Sequence, residues 1–192
     1  EYVSFTNELN LDIPIFIGKS IKKSDKYKEQ VEMAKLHVKA GGYAVMLDVP
    51  GENAKNWNRE LKEISKEVLP FGAQLLGKWD SRGGWAAKSH IVTEHPIFNG
   101  LPTNQIMHGV YENVHPISSM SKQEGLYIAG MIGYDHFPNK DIMVRNYNGI
   151  GEVWWSADVL EANLGNGKML LSTLQIIKNL GKDPVADKLL LN

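Results

Sequence analysis

The stretch from Asn163 to Asn192, NLGNGKMLLSTLQIIKNLGKDPVADKLLLN, sets a tight turn, an apolar strand and a capped helix start in immediate succession. Gly165-Asn166-Gly167 supplies residues that tolerate positive φ, as a short hairpin loop requires. From Lys168 to Ile177 the apolar residues Met169, Leu170, Leu171, Leu174, Ile176 and Ile177 are separated only by small or amide residues. That continuity predicts a strand covered on both faces. Gly181-Lys182-Asp183-Pro184 then sets Asp183 as a helix N-cap and Pro184 at the first helical position, where its missing N–H costs nothing. The helix that follows should turn Val185 and Leu189 inward.

Upstream, Ile13 to Gly18 reads as a short strand with its proline at the start. Ser24 or Asp25 can cap a helix in which Tyr27, Val31, Ala34 and Val38 recur at helical spacing, closed by Gly41-Gly42. Tyr43 to Val49 is a continuous strand turned by Pro50-Gly51, and Trp57, Leu61, Ile64 and Val68 repeat the helical stripe up to Pro70. Strand alternating with helix argues for parallel pairing through crossover helices.

Between Gly72 and Pro102 the pattern loosens. Ala73 to Trp79 and Ser89 to Val92 are candidate strands, and Thr93 can cap a one-turn helix over Pro96 to Asn99 that Gly100 ends. From there strands are expected at Tyr111–Val114, Leu126–Ile132, Asp141–Tyr147, Glu152–Ala157 and Val159–Asn163. The expectation is a single domain over residues 1–192 with an antiparallel extension, in its C-terminal half, on a parallel core.

Bulk properties narrow the function classes. A formal net charge of −1 gives no electrostatic basis for binding nucleic acid or an anionic membrane. No apolar run approaches the ~20 residues of a membrane-spanning helix. The chain has no cysteine, which removes disulfides, thiolate metal sites and a cysteine nucleophile.

The run G-N-G-K before an apolar strand, followed by L-G-K-D-P-V-A-D-K-L-L-L-N, resembles the C-terminal end of many bacterial glycoside hydrolases of the family 2 type, the β-galactosidase and β-glucuronidase relatives. Ala40-Gly41-Gly42 before a strand and His95-Pro96-Ile97-Phe98-Asn99-Gly100-Leu101-Pro102 extend the likeness from about residue 24 to the end. The resemblance implies a three-layer α/β fold, flavodoxin-like or class I glutamine amidotransferase-like, in a domain that follows the catalytic barrel. Such amidotransferases use a nucleophilic cysteine, and this chain has none. The resemblance therefore implies an accessory domain, part of a longer chain, without cofactor or metal, packed on the catalytic domain of the same polypeptide or on a second subunit. A periplasmic or secreted location is likewise implied.

The chemistry-bearing residues offer two alternatives. Asp48 and Glu52 follow the carboxyl end of an expected parallel strand, where open α/β sheets place ligand sites, and are the candidate catalytic carboxylates of an independent hydrolase. Trp79 and Trp85 flank the loop Asp80-Ser81-Arg82-Gly83-Gly84 and could offer indole faces to a sugar, the candidate binding residues of a stand-alone carbohydrate-binding module. Trp154 and Trp155 are adjacent in an expected strand and so point to opposite faces. His90, Glu94 and His95 suggest metal ligands, but Pro96 prevents one helix from presenting all three, so no metal site is expected. His108, His115 and His136 are scattered through turn-rich sequence, and Asp158 and Glu161 are two of many unassigned carboxylates.

Overall fold

A computed structural model describes residues 10–18, 25–47, 69, 75–76, 90–116, 119–120, 126–135 and 152–192. The expected helix from Trp57 to Val68, the expected strand from Asp141 to Tyr147, and Asp48, Glu52, Trp79 and Trp85 lie outside the described residues. In chain order the strands are β1 (Ile15–Ile17), β2 (Tyr43–Met46), β3 (Leu75–Leu76), β4 (His90–Val92), β5 (Gln105–Ile106), β6 (Ser119–Met120), β7 (Leu126–Asp135), β8 (Glu152–Leu164) and β9 (Gly167–Ser172). Helix α1 (Asp25–Ala40) lies between β1 and β2, and α2 (Ile176–Asn179) and α3 (Pro184–Leu191) follow β9. Two 3-10 segments, Pro96–Phe98 and Gly109–Val114, flank β5.

All nine strands join one mixed sheet, in the order β1-β2-β9-β8-β7-β4-β5 along its main path. β1, β2 and β9 are mutually parallel, and every pairing from β9 onward is antiparallel. The fold is thus α/β with a short parallel core and an antiparallel extension. β8 is long enough to take β9 along one half, while Met120 of β6 pairs with Ala157 further on and β3 pairs with β6.

The helical stripe of α1 is buried as its spacing predicts: Tyr27, Val31, Ala34 and Val38 all face the sheet. Gly41, at φ +122, ends the helix in a Schellman arrangement, with Gly41 N donating to Val38 O at 3.0 Å and Gly42 N to His37 O at 3.0 Å. The period-two alternation of β2 and β9 then divides the core between the two sheet faces. Ala44, Met46, Met169 and Leu171 pack with α1 on one face, while Val45, Leu47 and Leu170 pack with Phe98, Tyr111, Val185 and Leu189 on the other. Each fully buried Val, Leu or Met side chain contributes about 1.5–3 kcal/mol, so losing either face would unfold the sheet.

The C-terminal hairpin has the expected turn. Leu164 pairs with Gly167 across a two-residue loop, and Gly165 sits at φ +66. Asn166 keeps a negative φ, which is the sign pattern of a type II′ turn. Both flanking glycines also lie too close to the end of α1 for a side chain: a Cβ on Gly165 would stand 2.8 Å from Lys39 O, and one on Gly167 2.1 Å from Gly42 O. Asp183 caps α3 as its sequence predicts, Oδ1 accepting from Val185 N at 2.7 Å and Ala186 N at 3.4 Å.

Four local expectations change. The strand expected to run to Ile177 ends at Ser172, where Leu174 N bonds Ser172 Oγ and Gln175 N bonds Val114 O; Leu174 and Ile176 are fully buried outside the ladder. Burial without alternation does not distinguish a strand from a helical turn. Tyr111–Val114 is 3-10 helix, not strand, because Tyr111 and Val114, three apart, share its buried side. The two strands expected at 152–157 and 159–163 are one strand of 13 residues. His95, not Thr93, caps the turn at Pro96, its Nδ1 accepting from Ile97 N at 3.3 Å.

Candidate functional site

Strand β8 carries an irregularity that determines what the sheet presents. Between the pairs Tyr127–Leu160 and Gly130–Ala157 the only partners are Ala129 and Val159, which leaves Ile128 out of the ladder on β7 and Asp158 out of it on β8. This β-bulge shifts the alternation. Leu160 and Ala157 both lie in the α1-side core although three residues apart, with Val159 in the opposite core. Bulges of this kind re-aim a side chain, often beside a functional site.

The re-aimed side chain is Asp158, and its Oδ2 lies 2.5 Å from His90 Nδ1. His90 is on β4 and Asp158 on β8, with β7 between them. Two strand spacings amount to about 9.6 Å, a gap that an imidazole and a carboxylate together can bridge. On β7, Met131 is the register partner of His90, while Ala129 and Gly130 pair with the residues of β8 on either side of Asp158. Both partners of the pair are fully buried.

A third residue joins them. The His115 ring meets that of His90 edge-on, with centroids 4.5 Å apart and planes at 76°. His115 follows the 3-10 helix Gly109–Val114, and its backbone carbonyl accepts from Gln175 Nε2 at 2.6 Å. Asp158 O in turn accepts from Thr173 N at 2.8 Å and Thr173 Oγ1 at 3.2 Å. The cluster therefore sits just past the carboxyl end of parallel strand β9, the edge at which open α/β sheets hold ligands.

In the neutral imidazole, with Asp158 accepting from Nδ1, the ring proton sits on Nδ1 and Nε2 carries the lone pair. Nε2 is buried and has no hydrogen-bond partner among the described residues. An imidazole oriented in this way can accept a hydrogen bond or a proton.

A second polar group lies nearer the hairpin end of β8. Glu161 accepts from Tyr43 Oη at 3.0 Å and from Lys168 Nζ at 2.9 Å. Burial pushes the Glu161 carboxyl up, but the hydrogen bonds from Lys168 and Tyr43 and the charges of Lys168 and His95 outweigh it and hold the carboxyl below its ordinary value. Burial, then the Glu161 charge and hydrogen bond, raise the Tyr43 phenol. Burial lowers His95; the Glu161 charge opposes that shift and the Lys168 charge adds to it. Each member of this group is engaged, which suits a role in holding β2, β8 and β9 in register.

The structure thus joins residues that spacing leaves apart. His90 and His115 are 25 positions apart in the chain and Asp158 lies far from both, and the one local signal is the apolar pair Ile91-Val92 that follows His90. His95 is parted from His90 by its capping role, and among the described residues no three His, Asp or Glu side chains are grouped to hold a metal ion. No described helix is long and apolar enough to cross a membrane.

The three stretches that carry the family resemblance are themselves in contact. Asn192 Nδ2 donates to Ile97 O at 2.9 Å and to Asn99 O at 3.0 Å, tying the final asparagine to the His95–Pro102 segment. Asn166 N donates to Lys39 O at 3.2 Å and Lys168 N to Gly42 O at 3.3 Å, tying the hairpin to Ala40-Gly41-Gly42. Compared with known protein families and with characterised proteins, the chain matches none.

Proposed function

We propose that this chain is a non-catalytic accessory domain from the C-terminal part of a family 2-type glycoside hydrolase, with a three-layer flavodoxin-like or class I glutamine amidotransferase-like fold. The parent reaction would be hydrolysis of a β-glycosidic bond by two carboxylates outside this chain. Its role would be to pack against the catalytic portion or a second subunit, in a periplasmic or secreted enzyme.

The observation that carries the reading is the contact between the three resembling stretches. Residues 165–192 are distant in sequence from both 40–42 and 95–102 yet hydrogen-bonded to each, so the last stretch constrains the other two, as parts of one inherited framework would. A packing role is supported by the apolar side chains of Ile13 and Phe16, both more than half exposed at the edge of the sheet where β1 pairs with β2.

The test joins sequence and assay. The reading frame upstream of Glu1 is determined, and the isolated chain is assayed against aryl β-glycosides. An in-frame barrel domain with two catalytic carboxylates and no turnover by the isolated chain is expected. Turnover that vanishes in Asp48→Asn or Glu52→Gln would show an independent hydrolase and overturn the reading, as would a frame that opens at Glu1.

A further inference from the structure

We propose that Nε2 of His90 is the acceptor of a small-molecule site that takes a neutral hydroxyl group, with Asp158 as the positioning residue that keeps the accepting lone pair on that nitrogen. The inference stands apart from the identity of any parent enzyme. A buried polar atom left without a partner costs about 1–3 kcal/mol, and native structures leave few such atoms without a functional or solvent explanation. Here Nδ1 is committed to Asp158, so in the neutral imidazole Nε2 is the accepting nitrogen and its natural complement is a donor.

The surroundings select the kind of donor. An anion is disfavoured by the Asp158 carboxylate. A cation would be stripped of water beside the apolar core of Val92, Met107, Val114 and Leu174, which shares this face of the sheet. A neutral O–H suits both conditions. The bulge at Asp158 and the position past the carboxyl end of β9 are features that accompany ligand sites in sheets of this kind. The His115 ring stands edge-on to that of His90, with centroids 4.5 Å apart.

The experiment follows the histidine ring nitrogens by 15N NMR while methyl β-D-galactopyranoside or phenol is added, so that a sugar hydroxyl and an aromatic hydroxyl are tested separately. Expected is an unprotonated Nε2 on His90 and a saturable shift with one of the probes, confined to His90 and His115. Asp158→Asn should weaken that response about tenfold or more, the loss expected for one hydrogen bond of about 1.4 kcal/mol, while Lys168→Ala leaves it unchanged. If Asp158→Asn does not fold, His115→Gln serves as the second variant, with the same weakening expected. A proton on Nε2, or a His90 signal that neither probe moves because the nitrogen holds an internal water only, overturns the proposal.

Discussion

Asp158 on β8 reaches His90 on β4 at 2.5 Å over an intervening strand, at the point where Asp158 is left out of the ladder between β8 and β7. The irregularity and the buried pair therefore coincide. Ala157 and Val159, two apart on β8, lie in opposite cores because the alternation breaks between them.

Removing one partner should be far worse than removing both. Asp158→Ala leaves a buried imidazole N–H without its acceptor and is expected to destabilise the chain by about 1–3 kcal/mol. The double variant Asp158→Ala/His90→Leu should lose less than the sum of the two single changes. Urea unfolding of all four forms of this double-mutant cycle measures the coupling; additive losses would show that the contact carries no energy.

The small residue beside the ladder irregularity should matter as well. Ala129 is buried on β7 between Val92 and Val159, next to the point where Asp158 leaves the ladder. Ala129→Leu is expected to cost about 1–3 kcal/mol by overpacking and to separate the His90 and His115 rings. Loss of the ring-contact signals between these two histidines in the NMR spectrum checks it.

The α3 cap should give an acid-sensitive contribution. A hydrogen bond from Asn113 Nδ2, at 2.6 Å, is the largest influence holding the Asp183 carboxyl below its ordinary value; burial opposes it, and the bonds from Val185 and Ala186 N add to it. A carboxyl with a depressed native pKa stabilises the fold above its unfolded value near 3.8 and loses that contribution as pH falls through the lower native value. Asp183→Ala should cost about 1 kcal/mol at neutral pH. The difference between wild type and variant in urea midpoint should shrink as the pH is taken below 4; a constant difference would refute the assignment.

Two glycines separate steric crowding from backbone strain. In Gly167→Ala the new Cβ would stand 2.1 Å from Gly42 O, backbone that cannot move without opening the junction between α1 and the hairpin. Gly181, at φ +69, has nothing within 4 Å of a Cβ, so Gly181→Ala meets only the left-handed penalty of about 1–2 kcal/mol. Thermal unfolding should rank Gly167→Ala as clearly the more damaging.

Tightening the other end of the fold depends on the last residue. Asn192 bonds two carbonyls in the segment that follows β4. Asn192→Ala is expected to cost about 1–2 kcal/mol for two hydrogen bonds and to speed amide exchange around Phe98 to Leu101 more than in β9. Uniform exchange changes across the sheet would mean that the contact does not secure that segment.

Much of this architecture was already readable from short stretches of chain, because the interactions that fix them are local. The stripe of Tyr27, Val31, Ala34 and Val38, the turn at Gly165-Asn166, and the capping of α3 by Asp183 each depend on residues within a turn or two of one another. The short strands β1 and β2 were likewise marked by apolar runs beside glycine and proline. Local chemistry does not say where an apolar run leaves its ladder. Leu174 and Ile176 are buried by neighbours distant in the chain, and Tyr111 and Val114 look equally suited to a strand until the fold supplies a surface with a three-residue repeat. The bulge at Asp158 exists only as a mismatch between β7 and β8, so no reading of β8 alone could reveal it. Turns, caps and helix faces follow from local chain chemistry, whereas the meeting of His90, His115 and Asp158 follows only from the assembled sheet, because a pairing across strands is a property of register and not of any one segment.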